Sequence, residues 1–349
     1  KSVRCTNLLK RILDAGVPFQ GLMTFTAAES VFLAKQGFDD LLVAYPTWHK
    51  NDIADVAHTL KQGKRIVLMV DCKAHVEQLN KVGKEMDVPL LACIDVDMSS
   101  AFPGLHFGVH RSPVNEAKKA KKVLKALKKA EFVKLVGLMG YEAQIAGLGD
   151  KVPRKKILNT IVQTLKNKSV KILAQRRAEI VALIEKEGFI LDFVNGGGTG
   201  SLETTTNEAC VTEVTVGSGF YNPGLFDNYK NFKHLPAAAY AVEIVRQPKK
   251  DVFTCSGGGY TASGTPSFDK APKPYLPEGV KLTDNEGAGE VQTPIVYKGA
   301  ENLKLGDPIF LRHSKAGELC ERFNELLLVS KGKIVARVPT YRGEGQCFL

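Results

Sequence analysis

The sequence has no cysteine pattern that would indicate a disulfide framework, and no apolar run long enough to cross a membrane. Its seven cysteines are odd in number and scattered, with no Cys-x-x-Cys pair, which is typical of proteins from reducing compartments. Every apolar run falls short of the roughly 20 residues of a membrane-spanning helix. We therefore expect a soluble, cytoplasmic protein. The chain opens on Lys1 without an initiator Met, so a targeting segment upstream is compatible with these observations.

Motifs of nucleic-acid-binding proteins are also missing, although the formal net charge is +11. Much of this charge lies in residues 116–130, where seven lysines accompany Val123, Leu124 and Leu127. One apolar stripe surrounded by lysines is typical of a helix on the outside of a domain, and a polyanion-binding face is the alternative interpretation. Because neither zinc-finger spacing nor interleaved aromatic residues accompany the lysines, we expect no nucleic-acid partner.

Strand-like apolar segments alternate with stretches of helical periodicity between residues 19 and 219. The seven segments are residues 19–25, 39–45, 65–71, 90–97, 134–141, 189–197 and 213–219. This alternation predicts an α/β fold with a parallel sheet, and specifically a (β/α)8 barrel, which needs an eighth strand for closure. Residues 6–15 have helical periodicity, so we expect the missing strand upstream of the sequence, with Lys1 at its carboxyl end.

A change in composition marks a second domain. After a helix expected around residues 236–246, short apolar segments are separated by glycine and proline, and helical periodicity is nearly absent. The strand-like segments are residues 251–256, 257–260, 271–274, 291–297, 308–312, 325–329 and 333–338. We therefore predict an α/β barrel over residues 1–246 and an antiparallel β domain over residues 247–349.

Two glycine-rich segments follow strands seven and eight of the predicted barrel. They are residues 195–201, Asn-Gly-Gly-Gly-Thr-Gly-Ser, and residues 216–221, Val-Gly-Ser-Gly-Phe-Tyr. Loops at these positions commonly bind phosphate, because glycines let main-chain N–H groups converge on an anion. Tight turns alone would explain either cluster, but their pairing favours a phosphate site. Its candidate ligands are Gly197, Gly198, Thr199, Ser201, Gly217, Ser218, Gly219 and Tyr221.

The order of these features resembles the alanine-racemase-like, or fold-type III, pyridoxal-phosphate enzymes, and within them the D-threonine aldolase and D-serine dehydratase family. Lys1 matches the position of that family's Schiff-base lysine, and Thr26-Ala27-Ala28-Glu29 matches its Thr-x-x-Glu segment. Residues 258–260, 285–287 and 306–307 are similar to landmarks of its C-terminal β domain. The resemblance implies pyridoxal phosphate as cofactor, with Lys1 as its catalytic lysine.

The resemblance also gives expectations for residues at other strand ends. Tyr141 takes the place of a family histidine and would orient the cofactor ring or act as an acid or base; packing inside the barrel is the alternative. The family's usual arginine after the fifth strand is replaced by His106, so His106 or Arg111 would contact the cofactor's phenolic oxygen. A structural ion pair between Arg111 and Asp95 or Asp97 is the alternative.

Thr215 stands where racemases of this group have an arginine that faces the pyridine nitrogen of the cofactor. A neutral partner leaves that nitrogen less protonated, so the ring is a poorer electron sink. The substitution therefore favours a lyase step over racemisation.

The related aldolases and dehydratases use a divalent metal, held by a histidine and by a cysteine or aspartate two residues later. Here Lys315 follows His313 at that spacing, and the nearest soft ligand is Cys320. His313 and Cys320 would bind zinc or manganese if their loop folds back, and purely structural roles are the alternative. Without a metal, Lys315 would stabilise the departing or ionising hydroxyl, or bind the substrate carboxylate.

The resemblance implies a homodimer in which each barrel mouth is closed by the partner's β domain, and we assign residues 256–264 and 315–321 to that contact. The predicted activity is that of a pyridoxal-phosphate-dependent lyase, an aldolase or a dehydratase, acting on a D-β-hydroxy amino acid. The alternatives are an amino-acid racemase on the same scaffold and a non-catalytic protein that binds pyridoxal phosphate or a polyanion.

Overall fold

The computed structural model describes residues 1–265 and 267–348. In its N-terminal part, helices alternate with the strands of one sheet. These helices are α1 (Thr6–Asp14), α2 (Ala27–Lys35), α3 (Lys50–Lys61), α4 (Lys73–Met86), α5 (Ala117–Leu127), α6 (Ala143–Ala146), α7 (Lys156–Lys186) and α8 (Leu202–Thr205). Among the described residues, no helix is long and apolar enough to span a membrane.

The strands of this part form one parallel sheet and one small hairpin. They are β1 (Leu22–Thr24), β2 (Leu41–Val43), β3 (Ile66–Val70), β4 (Leu90–Asp95), β5 (Ser100–Phe102), β6 (Leu105–Phe107), β7 (Val133–Gly140), β8 (Phe193–Gly196) and β9 (Glu213–Val214). The sheet has the order β1-β2-β3-β4-β7-β8-β9 and every pair is parallel, whereas β5 and β6 pair with each other. The seven predicted strands are therefore confirmed. β3 is buried along its whole length, as expected for a parallel sheet covered on both faces.

The first residues of the chain lie between the two edges of this curled sheet. The main-chain nitrogen of Lys1 donates to the carbonyl of Met23 in β1 at 3.2 Å. Ser2 packs against Gly217, just after β9, so closely that a Cβ on the glycine would lie 2.8 Å from the Cβ of Ser2. The segment therefore occupies the place at which an eighth strand would close the barrel.

The C-terminal part is antiparallel. Its strands are β10 (Tyr240–Lys249), β11 (Val252–Ser256), β12 (Lys273–Leu276), β13 (Lys281–Leu282), β14 (Gln292–Val296), β15 (Pro308–Arg312), β16 (Glu325–Ser330) and β17 (Lys333–Pro339). Six of them form a sheet in the order β12-β15-β10-β11-β14-β13, and β16 pairs with β17. The short helix α9 (Ala316–Leu319) lies between β15 and β16. The predicted fold class, an α/β barrel followed by an antiparallel β domain, is confirmed.

The helix predicted around residues 236–246 is wrong, because most of this segment forms β10. Tyr240, Val242 and Ile244 are buried and the residues between them are exposed, which is the two-residue period of a strand with one face on a core. The second sheet thus begins at Tyr240, and a domain division at residue 246 would cut through β10.

Candidate active site

A cavity of about 1340 Å³ extends from the interior of the curled sheet to the carboxyl ends of its strands. Residues that follow parallel strands meet there, because the carboxyl ends of such strands share one edge of the sheet. The predicted site residues that line the cavity are Lys1, Arg111, Tyr141, Gly197, Gly198, Thr199, Gly217, Ser218 and Lys315.

Lys1 reaches the cavity with a half-buried side chain. Its Nζ lies 6.0 Å from the centroid of the Tyr45 ring. Burial lowers the pKa of Lys1 and the charge of Arg111 lowers it further, whereas Tyr45 and Glu29 act in the opposite direction. A lowered pKa raises the fraction of neutral amine, which is the nucleophilic form.

The Thr26–Glu29 segment anchors the main chain of Lys1. Thr26 caps α2 by accepting from the N–H of Glu29 at 3.2 Å. Glu29 Oε2 accepts from the N–H of Phe25 at 2.5 Å, which is one residue before the N–H that a capping box would use. The other carboxylate oxygen lies 2.9 Å from the main-chain nitrogen of Lys1 and accepts from the Tyr341 hydroxyl at 3.1 Å. One buried carboxylate therefore connects α2, Lys1 and the C-terminal segment.

Arg111 enters the cavity from the connection after β6 and forms a buried ion pair. Its Nε lies 2.9 and 3.1 Å from the two oxygens of Asp95, and Nη2 donates to the carbonyl of Ala44 at 2.7 Å. The guanidinium lies 4.9 Å from the ring centroid of Tyr45 and 5.7 Å from that of Tyr141. Burial raises the pKa of Asp95 to about 7, although Arg111 opposes the shift. Arg111 thus makes the structural ion pair and also faces the cavity.

The other sequence candidates near this strand do not reach the cavity. His106 is exposed on the β5–β6 hairpin, where its ring stacks on His110 with centroids 4.4 Å apart. Asp97 accepts from the N–H and hydroxyl of Ser99. Arg111 therefore lines the cavity and His106 does not, and the ion-pair partner of Arg111 is Asp95 and not Asp97.

Tyr141 lies directly after β7 with its ring against the first glycine loop. A Cβ on Gly198 would lie 3.0 Å from the Tyr141 ring, so the loop can approach the ring this closely because residue 198 is glycine. Burial raises the pKa of Tyr141 to about 12. Its hydroxyl therefore stays protonated and is suited to donate a hydrogen bond.

The two glycine loops contact each other. Thr199 of the first loop accepts from the N–H of Gly219 in the second at 2.9 Å, and Ser201 accepts from the N–H of Gly198 at 3.0 Å. Within the described part of the chain, five main-chain N–H groups of these loops have no protein partner, those of Thr199, Gly200, Val216, Gly217 and Ser218. All but Gly200 line the cavity, where unpaired main-chain donors are suited to bind an anion.

Four of the predicted phosphate ligands are placed differently from the rest. Gly197 donates its N–H to Glu142 at 3.3 Å, so that group is not free for a phosphate. Ser201 and Gly219 form hydrogen bonds within and between the loops and do not line the cavity. The hydroxyl of Tyr221 points away from the cavity and donates to the carbonyl of Val3 at 2.7 Å. Tyr221 thus packs the first residues of the chain in place instead of contacting the cavity.

Thr215 lines the cavity beside a buried amide. Its Oγ1 accepts from Nδ2 of Asn195 at 2.9 Å. The same amide also donates to the Glu213 carboxylate of β9 at 2.6 Å. Asn195 and Thr215 are thus uncharged, and the charged group beside them is an anion.

His313 and Cys320 do not form a common metal site. The ring of His313 lies edge-on to that of Tyr221, with centroids 6.1 Å apart, whereas Cys320 is 3.5 Å from the Tyr221 hydroxyl and donates to Val3 at 3.3 Å. Tyr221 thus lies between them. Burial raises the pKa of Cys320 to about 11, which disfavours the thiolate that a metal requires. These residues do not fit the predicted ion.

Lys315 reaches the cavity of its own chain, at the start of α9. Its Nζ donates to the carbonyl of Ser263 at 2.7 Å, and both residues line the cavity together with Glu318. Burial lowers the pKa of Lys315, as does Lys270. The segments assigned to a partner's barrel mouth therefore contribute to the mouth of the barrel in the same chain.

One cluster of metal-ligating side chains was not predicted from the sequence. Asp71, Cys72 and His75 bring ligand atoms within 4.8 Å of one another. The cluster lies at the start of α4, and His75 Nδ1 already contacts Asp71 Oδ1 at 2.8 Å. A helix N-terminus disfavours a cation, and an Asp–His hydrogen bond accounts for the geometry.

Residues 5–223 of the chain match the sequence profile of the alanine racemase N-terminal domain. The chain belongs to this alanine racemase family. A comparison with curated proteins gives no match. The family implies pyridoxal phosphate as cofactor, and the cavity fits it: Lys1 offers an amine, and the partnerless N–H groups of the glycine loops offer a phosphate cradle in the same space.

Solved structures share the alanine racemase fold over nearly the whole chain. D-threonine aldolase from Filomicrobium marinum has a TM-score of 0.79 and 16% identity, covering 97% of this chain and 85% of the aldolase. D-threo-3-hydroxyaspartate dehydratase from Delftia sp. HT23 has a TM-score of 0.69 and 16% identity, covering 97% and 87%. Alanine racemase from Clostridium difficile 630 has a TM-score of 0.61 and 14% identity, covering 96% and 87%. At these identities the likeness establishes the fold.

Proposed function

We propose that the protein is a pyridoxal-phosphate-dependent lyase, an aldolase or dehydratase, that acts on a D-β-hydroxy amino acid. The observation that carries the proposal is the meeting in one cavity of a lysine with a lowered pKa and the partnerless N–H groups of two glycine loops. Pyridoxal phosphate, when bound, supplies an electron sink for bonds at the substrate α-carbon.

Different residues of the chain would hold the cofactor, bind its phosphate and contact its ring. Nζ of Lys1 would hold the cofactor covalently and, once exchanged for substrate, take up or return a proton. Thr199, Gly217 and Ser218 would hold the phosphate through main-chain N–H groups, and Thr199 can add its hydroxyl proton because that oxygen already accepts from Gly219. Arg111 would face the cofactor ring, with its orientation fixed by Asp95.

Two residues favour a lyase over the alternative racemase. Thr215 presents an uncharged hydroxyl bonded to Asn195, so no cation from this position promotes protonation of the ring nitrogen. Lys315 presents an ammonium group at the mouth of the cavity, where it would stabilise the leaving or ionising hydroxyl of the substrate, or bind its carboxylate.

The proposed working unit is a homodimer, as the family resemblance implies. Lys315 and Ser263 belong to the cavity of their own chain, so the partner would enclose the cavity without supplying these two side chains. Light scattering on active protein tests the assembly state, and an active monomer would contradict the proposal.

The decisive experiment is to load the protein with pyridoxal phosphate, reduce it with borohydride and locate the adduct by tandem mass spectrometry. We expect the adduct on Nζ of Lys1, and its loss in Lys1→Ala but not in Lys10→Ala, an exposed lysine of the neighbouring helix. An unchanged adduct elsewhere in the chain would contradict the proposal. Product analysis with D-β-hydroxy amino acids then separates the activities: a keto acid indicates a dehydratase, glycine with an aldehyde an aldolase, and the L-amino acid a racemase.

A further inference from the structure

A buried arginine lies behind the first glycine loop. Arg177 of α7 has no solvent-exposed surface. Its Nη2 donates to the carbonyl of Gly140 at 2.9 Å and contacts Glu142 at 3.2 Å, while Nη1 pairs with Glu208. A buried guanidinium needs such partners, because an unpaired buried charge is strongly destabilising.

Glycines at two adjacent strand ends make room for this guanidinium. Gly140 and Gly196 are register partners in β7 and β8. A Cβ on Gly140 would lie 3.2 Å from Nε of Arg177, and a Cβ on Gly196 would lie 3.2 Å from its Nη2. Either side chain would therefore press on the guanidinium. These two glycines leave room for Arg177, and also for Met98 beside Gly140 and for Thr205 beside Gly196.

Glu142 connects the arginine to the loop. Its carboxylate is 2% exposed and accepts from three groups: Nη2 of Arg177, the Thr205 hydroxyl and the N–H of Gly197. Gly197 has a φ of +74°, so this is the residue at which the chain turns out of β8 into the loop. Two residues later the partnerless N–H groups begin.

We propose that Glu142, held by Arg177, is a positioning residue that fixes the turn at Gly197 and thereby aims the next N–H groups at the phosphate of the cofactor; this inference rests on the proposed function. A carboxylate so near a phosphate would repel it, and the guanidinium that Glu142 shares with Glu208 offsets part of that charge. Neither Glu142 nor Arg177 lines the cavity, so each acts through the loop.

The test compares the affinity of the apo-protein for pyridoxal phosphate with its affinity for pyridoxal, which lacks the phosphate. In Glu142→Ala we expect the first affinity to fall about tenfold or more, which corresponds to about 1.4 kcal/mol, and the second to change less than about twofold. If Glu142→Ala does not fold, Glu142→Asp applies, because it keeps a charge near Arg177 but shortens the reach to Gly197. Equal losses for both ligands, or no loss, would overturn the inference.

Two further variants separate positioning from general stability. Glu142→Gln can still accept from Gly197 and donate to Thr205, so it should restore the ratio of the two affinities to near the wild-type value. Glu208→Ala removes a partner of Arg177 that contacts no loop N–H, so it should lower the melting temperature without changing that ratio. A changed ratio in Glu208→Ala, or a ratio in Glu142→Gln as low as in Glu142→Ala, would contradict the role.

Hydrogen exchange of the apo-protein gives a readout that does not depend on the cofactor. Peptides covering residues 196–201 should exchange faster in Glu142→Ala than in Glu208→Ala, because the N–H of Gly197 loses its acceptor. Unchanged exchange there would refute the positioning of the loop. If the wild type binds neither ligand but exchange at residues 196–201 is still faster in Glu142→Ala than in Glu208→Ala, the proposed function is refuted. The positioning of the loop by Glu142 is then retained.

Discussion

Two regions were expected to supply site residues: the carboxyl-end side of the parallel sheet, here called the strand-edge region, and the connection between β15 and β16. They differ in how many of their predicted residues line the cavity. Tyr141 directly follows β7 of the parallel sheet, Arg111 follows the β5–β6 hairpin, and Lys1 lies between the two edges of the sheet. All three line the cavity. Of the residues expected from the connection, Lys315 lines the cavity, whereas His313 and Cys320 are buried beside Tyr221. Strand order brings residues together across a parallel edge, but it does not determine which side of an irregular connection faces inward.

The largest effect on stability is expected from replacing Arg111 in the strand-edge region. Arg111→Leu leaves the buried Asp95 without its partner and should lower the free energy of unfolding by about 3–5 kcal/mol. The double variant Asp95→Asn with Arg111→Leu should recover most of this stability, because no buried charge remains unpaired. Urea unfolding measures both.

Cofactor binding distinguishes the two roles of Arg111. If Arg111 also contacts the cofactor, the absorbance maximum of the loaded double variant should differ from that of the wild type. A spectrum and an activity that return with stability would show that Arg111 serves only the ion pair.

The second prediction concerns the part of the connection that reaches the cavity. Lys315→Ala should lower kcat by about 100-fold or more, because a positioned cation or proton donor commonly contributes this much, while pyridoxal-phosphate affinity stays near the wild-type value. Lys270→Ala is the matched control, since Lys270 lies nearby but pairs with Asp269. Equal activities of the two variants would contradict a role for Lys315 in the reaction. Loss of wild-type activity on addition of a chelator would instead support a metal-dependent reaction.

The third prediction concerns the part of the connection that is buried. Burial lowers the pKa of His313 from 6.5 to about 4, and both ring nitrogens lack a partner in the described residues. The fold therefore favours neutral His313. The resulting contribution to the free energy of unfolding is complete above pH 6.5 and is lost as the pH falls toward 4. Between pH 7 and 5 the wild type should lose about 2 kcal/mol more stability than His313→Phe. Parallel pH profiles of the two proteins would contradict this.

The smallest effect is expected outside both regions, on the lysines of α5. Lys118 and Lys122 are exposed, and Lys121 and Lys128 pair with Glu187 at the surface, where ion pairs contribute little. Lys118→Ala and Lys122→Ala should leave melting temperature and activity unchanged. Salt-sensitive binding of the wild type to DNA, lost in these variants, would instead indicate a polyanion-binding face.

Most of the parallel sheet was predictable because each strand is a buried apolar run bounded by helical periodicity. β10 was not, because the alanines before Tyr240 favour a helix and the alternating burial that decides the matter comes from packing against a distant strand. Glu142 was missed although it directly follows Tyr141, since a lone acidic residue gives no signal until Arg177 of α7 is placed beside it. Tyr221 was assigned to the cavity from its neighbours in sequence, and its contact with Val3 could not be read from them.

The carboxylate of Glu29 connects the segment after β17 with Lys1. Tyr341 bonds to Glu29, which holds the main chain of Lys1, so the lysine proposed to hold the cofactor is anchored through a residue that follows β17. A cut between β17 and Tyr341 would leave the whole parallel sheet but remove this anchor. We therefore expect proteolysis at that point to weaken cofactor retention at Lys1, although the cut lies far from it in sequence.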